Sequence, residues 1–387
     1  MATSRARVAL MGATGSIGRQ TIDVLRSEPE AFELVALAGG RRTEVLAALV
    51  AEFRVRHVAV SDEDGRQELR AMVADDVDIV VGEQGLRELS THADVVVNAV
   101  TGFAGLPVTI ATLEAGARLA LANKESLIAA APVVARVRDT PGAQILPVDS
   151  EHCAIHQCLG SSKEPGHPDV ARLLLTASGG PFRGWTAQQL SQVTKSDALV
   201  HPTWSMGPKI TIDSSTLMNK GLEVLEAAAL FGIGVDRIDV VVHPQSIVHS
   251  MVEFVDGAVL AQLSMPDMRL PIAYCLGAPV RLAHRWGPLD FTQALRLDFE
   301  PPDREAFAAL DLAYAAARRG GAAPAWLSAA NEVCVGAFLE DRIRWVDIVP
   351  MVARTMDCYV DDPLANLEAV VENDATARRI TRGNLPR

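Results

Sequence analysis

Asp149 and Glu151 stand two residues apart, and a third carboxylate, Glu223, lies further along the chain. Adjacent carboxylates without a cation repel one another and are costly to bury, and a divalent metal removes that penalty. An all-oxygen donor set selects Mg²⁺ or Mn²⁺ over zinc. Asp149, Glu151 and Glu223 are therefore the candidate metal ligands, set against the plainer reading of an Asp-x-Glu pair as a surface feature. His152, Cys153, His156 and Cys158 follow at once. Their spacing matches no structural zinc pattern, so helix packing is expected of them, with a supporting role behind the metal for His152.

Lysine is scarce. Lys124, Lys163, Lys195, Lys209 and Lys220 are the whole set, and every other basic residue is arginine. In a chain that swaps Lys for Arg so freely, a lysine kept beside Asn and Glu points to a site that needs a compact ammonium. Lys124 sits in Asn123-Lys124-Glu125 and Lys220 in Asn219-Lys220-Gly221-Leu222-Glu223, so both are candidates for chemistry.

Parts for holding a phosphate lie nearby. Ser178-Gly179-Gly180 closes a strand run with a small, donor-rich loop, and Asp213-Ser214-Ser215-Thr216 is expected to cap the helix that carries Asn219, Lys220 and Glu223. Residues 219 and 223 are one turn apart and share a face. Hydroxyls, a helix N-terminus and one ammonium make a cradle for a phosphomonoester; an ordinary amphipathic helix with a serine cap is the alternative. Between these parts runs His201-Pro202-Thr203-Trp204-Ser205-Met206-Gly207-Pro208. Trp204 and Met206 on a Pro/Gly-punctuated loop need a partner, either a substrate under a closing lid or a neighbouring loop.

Gly12-Ala13-Thr14-Gly15-Ser16-Ile17-Gly18 follows the first strand run and opens the first helical one. Such glycines allow a tight turn and close backbone approach, and the helix N-terminus offers free N–H groups to a pyrophosphate. After the second strand, where an NAD enzyme places Asp or Glu on the ribose, this chain has Gly39-Gly40-Arg41-Arg42. Arginine there suits a 2′-phosphate, so NADP(H) is favoured, with Gly39, Gly40 and Arg41 at the ribose end.

The elements that must position these residues fall into an α/β pattern. Over 1–148, strand runs Arg7–Met11, Phe32–Ala38, His57–Ser61, Val77–Val81, Ala93–Val100, Ala117–Asn123 and Gln144–Asp149 alternate with helical segments such as Ser16–Ser27 and Thr43–Phe53. Continuous apolar strands separated by helices predict a Rossmann-like, doubly wound parallel sheet. From 149 to 277 the runs Leu173–Ala177, Ile238–His243, Ser246–Val255 and Val259–Leu263 mostly lack crossover helices and predict an α+β catalytic and dimerisation domain; Asp256-Gly257 reads as a hairpin turn. Residues 278–303 read as a linker, and 304–387 as an Ala-rich C-terminal helical domain whose basic end, Ala377–Arg387, is expected to be solvated.

A chain of 387 residues is too long for one core. A net charge of −12 argues against a nucleic-acid partner while leaving room for a small anionic substrate in a local basic pocket. No apolar run approaches a membrane span, the N-terminus reads as too short for a signal peptide, and five scattered cysteines form no disulfide framework, so a cytoplasmic enzyme with reduced thiols is expected.

With these residues in hand, the chain resembles the 1-deoxy-D-xylulose 5-phosphate reductoisomerase family. The match runs through GATGSIG (12–18), LANKES (121–126), PVDSEH (147–152), TASGGPFRGW (176–185), HPTWSMGPK (201–209), MNKGLEV (218–224), HPQSIVHSM (243–251), PDM (266–268) and AANE (329–332), in the family's order. The Gly-Gly after the second strand departs from the family's Gly-Arg-Asn or Gly-Lys-Asn and leaves the individual 2′-phosphate contacts open. The resemblance implies an NADPH- and Mg²⁺- or Mn²⁺-dependent homodimer that converts 1-deoxy-D-xylulose 5-phosphate to 2-C-methyl-D-erythritol 4-phosphate in the non-mevalonate isoprenoid pathway. The reaction it implies is a metal-assisted skeletal rearrangement followed by hydride reduction. It implies metal ligation by Asp149, Glu151 and Glu223, with Lys124, Glu151 and Glu223 catalytic. Ser178, Ser214, Asn219 and Lys220 would grip the phosphate, His201 would close on it, and Lys124 and Ser150 would contact the sugar hydroxyls. Thr14, Gly15, Ser16, Ile17, Asn123, Glu125 and Gly207 would line the cofactor, Met268 would touch the nicotinamide, and the strand around His249 would lie near the dimer interface. Another NADP-linked dehydrogenase or an NADP-binding sensor stands as the alternative, although neither needs three carboxylates beside a phosphate cradle.

Overall fold

The computed structural model describes residues 5–160, 167–283 and 286–386. Strands and helices alternate from the start: β1 (Ala6–Met11), α1 (Ser16–Ser27), β2 (Phe32–Ala38), α2 (Thr43–Phe53), β3 (His57–Val60), α3 (Glu63–Arg70), β4 (Asp78–Val81), α4 (Gly82–Leu89), β5 (Val95–Asn98), α5 (Leu106–Glu114), β6 (Arg118–Leu121), α6 (Lys124–Val137) and β7 (Gln144–Pro147). The strands form one seven-stranded sheet in the order β4-β3-β2-β1-β5-β6-β7, parallel throughout. Val8, Ala9, Leu10 and Met11 are all fully buried, so both faces of β1 are covered, which is why the strand reads as an unbroken apolar run rather than an alternating one. Strand order reverses beside β1, and in open α/β sheets ligands bind outside the carboxyl ends of the strands at that point.

Beyond β7 come α7 (Ser150–Leu159), β8 (Val170–Ala177), α8 (Ala187–Leu190), α9 (Lys195–Ala198), α10 (Pro208–Ser215), α11 (Met218–Phe231), β9 (Ile238–Val242), β10 (Val248–Phe254), β11 (Val259–Leu263), α12 (Arg269–Gly277), α13 (Ala309–Arg319), α14 (Ala323–Leu339), α15 (Ile348–Asp357) and α16 (Leu367–Asn384). The second sheet runs β11-β10-β8-β9, with β8 and β9 parallel and the other neighbours antiparallel. The β10–β11 hairpin turns at Asp256-Gly257, as the sequence predicts. Gly257 takes φ +86°, and Asp256 Oδ1 accepts from the Ala258 N–H at 2.9 Å.

The compact units divide the chain differently from the expected domains. One holds Met1–Ser126, Val134–Ser150 and Asp267–Trp286; the other holds Leu127–Val133, Glu151–Pro266 and Gly287–Arg387. Helix α12 returns to the first unit because its apolar face, with Ile272, Cys275 and Leu276, shares a core with Val8, Leu10 and Ile22. Arg118 Nη1 also donates to the Leu276 carbonyl at 3.2 Å. The expected linker 278–303 is partly tied down: Val242 and Glu300 exchange backbone hydrogen bonds at 2.8 and 3.0 Å. The C-terminal helices share the second unit with β8–β11. Gly221 on α11 explains the closeness, since a Cβ there would lie 2.8 Å from the Ala313 Cβ on α13. The basic C-terminal end is not simply solvated either: Ala377 and Thr381 are buried, and Arg378 pairs with Asp374 and Glu332 at 2.7 and 2.6 Å. Among the described residues no helix is long and apolar enough to cross a membrane.

Candidate active site

The first unit holds the predicted cofactor residues other than Gly207, most of them at the carboxyl ends of its strands. Gly12 turns the chain out of β1 at φ +93°, and a Cβ there would meet the Ala99 carbonyl oxygen at 2.3 Å. Gly18 lies equally close to the Gly12 carbonyl, so the start of α1 packs backbone to backbone, and Gly15 is the residue from which α1 begins. Thr14, Gly15, Ser16 and Ile17 thus surround a helix N-terminus with no side-chain cap, the arrangement that suits a pyrophosphate. Gly39 and Gly40 leave the end of β2, and the two arginines that follow differ. Both are exposed, but Arg42 donates to the Thr14 carbonyl, bracing the glycine loop. Asn123 caps α6 by accepting from the Ser126 N–H at 2.9 Å and donates to the Gly102 carbonyl at 2.7 Å, joining the loops after β5 and β6. Glu125 lies buried in the same turn, and Met268 directly precedes α12. Gly207 belongs to the other unit, where it begins α10.

Lys124, the first residue of α6, is buried and its Nζ lies 2.5 Å from Asp149 Oδ2. Ser150 alone separates Asp149 from Glu151, and it begins α7.

The second unit holds the densest charge. Lys220 is 4% exposed, with its Nζ 2.8 Å from Glu151 Oε1 and a still shorter contact to Glu223 Oε2. Asn219 donates to Glu223 Oε1 at 2.5 Å. Burial opposes the charge on Lys220, but Glu151 and Glu223 outweigh it and hold the ammonium pKa above its ordinary value. The cluster is thus two carboxylates around one cation. His152 lies behind it, fully buried, with Nε2 2.9 Å from the Glu223 carbonyl and Nδ1 3.4 Å from Glu226 Oε2. Burial keeps His156 and Cys158 uncharged, the thiol being pushed up to about 11.

Ser178, His201 and Ser214 converge in the same unit. His201 Nδ1 accepts from the Thr203 and Trp204 N–H groups at 3.1 and 2.9 Å, so its proton resides on Nε2, which donates to Ser178 Oγ at 3.1 Å. Burial lowers the His201 pKa to about 4, which keeps the ring a neutral donor at physiological pH. Gly180, at φ +69°, packs against the backbone of Ser214, where a Cβ would lie 2.7 Å from the carbonyl oxygen. Trp204 and Met206 are half-buried, and the Trp204 ring lies 6.1 Å from that of His249. Of the run 213–216 expected to cap α11, Thr216 does so, its Oγ1 accepting from the Met218 N–H at 3.3 Å, and the rest do not. Residues 213–215 form the last turn of α10 with Thr216 next to it, and the chain breaks at Leu217, whose φ of +60° lets α11 start afresh. Short-range hydroxyl bonds, such as Ser215 Oγ to the Ile212 carbonyl at 2.7 Å, favour the helical turn over a cap.

A curated relative from Synechocystis sp., 1-deoxy-D-xylulose 5-phosphate reductoisomerase, is 48% identical over 386 residues, covering 98% of this chain and 97% of the relative. The same-named protein of Chloroherpeton thalassium is 46% identical over 377 residues, covering 96% of each. The chain belongs to the 1-deoxy-D-xylulose 5-phosphate reductoisomerase family. The family model of that name matches residues 8–131, and two models of C-terminal domains from the reductoisomerase match 145–231 and 263–380. Among solved structures, a reductoisomerase in complex with NADPH, fosmidomycin and magnesium superposes with a TM-score of 0.92 at 41% identity, covering 98% of each chain. The Zymomonas mobilis reductoisomerase in complex with NADPH gives 0.90 at 39%, covering 98% of this chain and 99% of the other. The α/β fold expected from the sequence is therefore the fold of this family.

Three features of the chain escaped the sequence reading. The bracing role of Arg42 needs the two loops in place. Glu226 stands three residues after Glu223 on α11, a spacing that puts both on neighbouring faces and marks it as the partner for His152. Asn331, within the AANE motif, carried no role in the sequence and turns out to bond Asp213 beside Ser214.

Proposed function

We propose that this chain converts 1-deoxy-D-xylulose 5-phosphate to 2-C-methyl-D-erythritol 4-phosphate, with NADPH as reductant and Mg²⁺ or Mn²⁺ as metal, in the non-mevalonate isoprenoid pathway. One observation carries the reading: α7 and α11 bring Glu151, Lys220, Glu223 and Asn219 together in the same compact unit as the convergent Ser178, His201 and Ser214.

The donor sets fit both groups. Asp149, Glu151 and Glu223 would hold the metal, and the ammoniums of Lys124 and Lys220 already meet the demand of those carboxylates for positive charge. The Gly12–Gly18 turn, a backbone cradle that a Cβ would fill, would take the NADPH pyrophosphate; Arg41 would face the 2′-phosphate. When bound, the metal supplies Lewis-acid stabilisation of charge on substrate oxygens and NADPH supplies the hydride.

The chain's own residues do the rest. Ser178, Ser214, Asn219 and Lys220 bind the phosphate, and His201 offers its Nε2 proton to a phosphate oxygen in place of Ser178. This grip is remote from the reacting carbons, so its binding energy serves orientation and closure of the Trp204–Met206 segment over the substrate. Lys124 and Ser150 orient the sugar hydroxyls, with Lys124 Nζ placed to donate a proton to one of them. The edge strand β11 leaves Val259 and Leu260 about half exposed, 47% and 50%, and we assign that edge to a homodimer contact. Cytoplasmic residence is supported by five free cysteines. The direct test is NADPH oxidation with the phosphorylated deoxyketose, with and without Mg²⁺ or Mn²⁺. Metal-dependent oxidation is expected; its absence would favour the NADP-binding sensor.

A further inference from the structure

We infer that Asn331 and Trp345, both from the C-terminal part of the chain, are positioning residues that set the phosphate-binding turn at Ser214. The inference rests on the assignment of Ser214 to the phosphate.

The turn is clamped on both sides of Ser214. On the N-terminal side the Asp213 carboxylate is 1% exposed. Its Oδ2 lies 2.8 Å from Lys209 Nζ, one turn earlier on α10, and its Oδ1 accepts from Asn331 Nδ2 at 2.7 Å. Asn331 is fully buried in α14, and among the described residues its Oδ1 has no hydrogen-bond partner. The amide therefore spends its one side-chain contact on Asp213. On the C-terminal side Trp345 Nε1 donates to Ser215 Oγ at 2.8 Å. The Trp345 ring also stands edge-on to Phe182, 5.2 Å between centroids, and Phe182 follows the Ser178-Gly179-Gly180 loop. Trp345 thus touches the residue after Ser214 and a residue just beyond the Ser178-Gly179-Gly180 loop.

Ser214 lies between the two anchored residues. Asp213 and Ser215 are each fixed by a distant side chain, whereas Gly180 closes on the Ser214 carbonyl from the other direction. Two anchored neighbours fix the backbone of the residue between them, so the Cβ from which the Ser214 hydroxyl hangs is placed before ligand arrives. A buried carboxylate held by a charged partner and a neutral amide has one geometry available, which makes it a stiffer anchor than a solvated side chain. Helix α14 and the segment at Trp345 thereby serve phosphate recognition without touching the phosphate.

The experiment is a double-mutant cycle of Asn331→Leu with Ser214→Ala, with Trp345→Phe as a milder companion that removes only the indole N–H and part of the ring. Three quantities are read: KM for the phosphorylated deoxyketose, inhibition by inorganic phosphate competing with it, and the NADPH Kd. In the wild-type background Asn331→Leu is expected to raise KM and weaken phosphate competition by about tenfold, with the NADPH Kd unchanged. On the Ser214→Ala background the same change is expected to add less than about twofold, because its effect passes through Ser214. Trp345→Phe should give the same pattern at smaller amplitude. Additive effects on the two backgrounds, a parallel loss of NADPH binding, or unchanged phosphate competition would each overturn the inference. Wild-type protein that fails to turn over the phosphorylated deoxyketose would instead overturn the proposed function.

Discussion

Lys220→Met removes the ammonium from between Glu151 and Glu223 while keeping most of its volume. With Nζ 2.8 Å from Glu151 and an effective dielectric of about 20, that attraction alone is about 6 kcal/mol before desolvation is counted. Burial of the ammonium takes back part of this, and breaking such a set by deleting one partner leaves a net loss of about 3–5 kcal/mol. Glu151 retains 19% side-chain exposure, and water can relieve its stranded charge, so the lower end of that range, about 3 kcal/mol, is expected. The pH window is wide: a lysine pKa raised in the folded state contributes fully at neutral pH and is lost only as pH climbs above the ordinary lysine range.

The same substitution has an opposite effect on the metal. An ammonium and a divalent cation compete for the same carboxylate oxygens, so removing the first makes the second easier to bind. Urea denaturation of the Lys220→Met chain in EDTA should show the full destabilisation, and saturating Mn²⁺ should recover much of it by binding only the folded state. Electron paramagnetic resonance of free Mn²⁺ should give a Kd equal to or tighter than wild type, while KM for the phosphorylated substrate rises. A folded Lys220→Met chain that binds Mn²⁺ more weakly would refute the competition and place the metal away from Glu151 and Glu223.

The other predictions are shorter. Glu223→Gln should leave the NADPH Kd nearly intact but weaken Mn²⁺ binding by more than about tenfold and sharply lower turnover; near-wild-type turnover would remove Glu223 from the ligand set. His201, held neutral by burial with its pKa lowered to about 4, is disfavoured in its charged form by folding. The stability this linkage contributes is present above the ordinary histidine value and declines as pH falls from there through about 4, so His201→Asn should flatten the acid limb of urea stability measured against pH. Arg41→Ala should reduce the preference for NADPH over NADH by about tenfold, measured as the ratio of their kcat/KM values. Arg42→Ala should weaken both cofactors alike, because its guanidinium is committed to the Thr14 carbonyl.

The parts of the fold that could be read in advance are those whose cause is local. Helices Ser16–Ser27 and Thr43–Phe53 and strand Phe32–Ala38 match expectation to the residue, since apolar period and glycine punctuation decide them. What was not legible depends on distant partners. Nothing near Arg269–Gly277 says that it packs against α1, β6 and β7, because its apolar face would suit either unit. The Asp213–Thr216 run has the composition of a cap, yet Leu217 accepts a left-handed backbone, so Ser214 and Ser215 fall inside a helical turn while Thr216 reaches the Met218 N–H. The Asn331–Asp213 bond spans 118 positions and has no sequence signature at all.

The lysine bias that first marks the site also shows the limits of that kind of inference. All four described lysines meet a carboxylate: Lys124 with Asp149, Lys195 with Asp341, Lys209 with Asp213, and Lys220 with Glu151 and Glu223. Burial separates them. Lys124 and Lys220 are about 5% exposed or less and Lys209 is 19% exposed, whereas Lys195 sits at 35% against an Asp341 that is 70% exposed. A guanidinium needs a wide, planar approach to its acceptors, and an ammonium can sit between two carboxylate oxygens from different elements. The scarcity of lysine therefore selects for tight carboxylate geometry, of which chemistry is one cause and anchoring another. Lys209 belongs to the anchoring kind, and an Arg in its place should disturb the Ser214 turn while leaving the carboxylates of the metal cluster untouched. Arg at Lys220 should instead drive Glu151 and Glu223 apart, lowering Mn²⁺ affinity together with the phosphate contact that Lys220 makes. Comparing Mn²⁺ affinity with inorganic phosphate competition in Lys209→Arg and Lys220→Arg separates the two kinds, and equal loss of both properties in both variants would show that burial does not distinguish them.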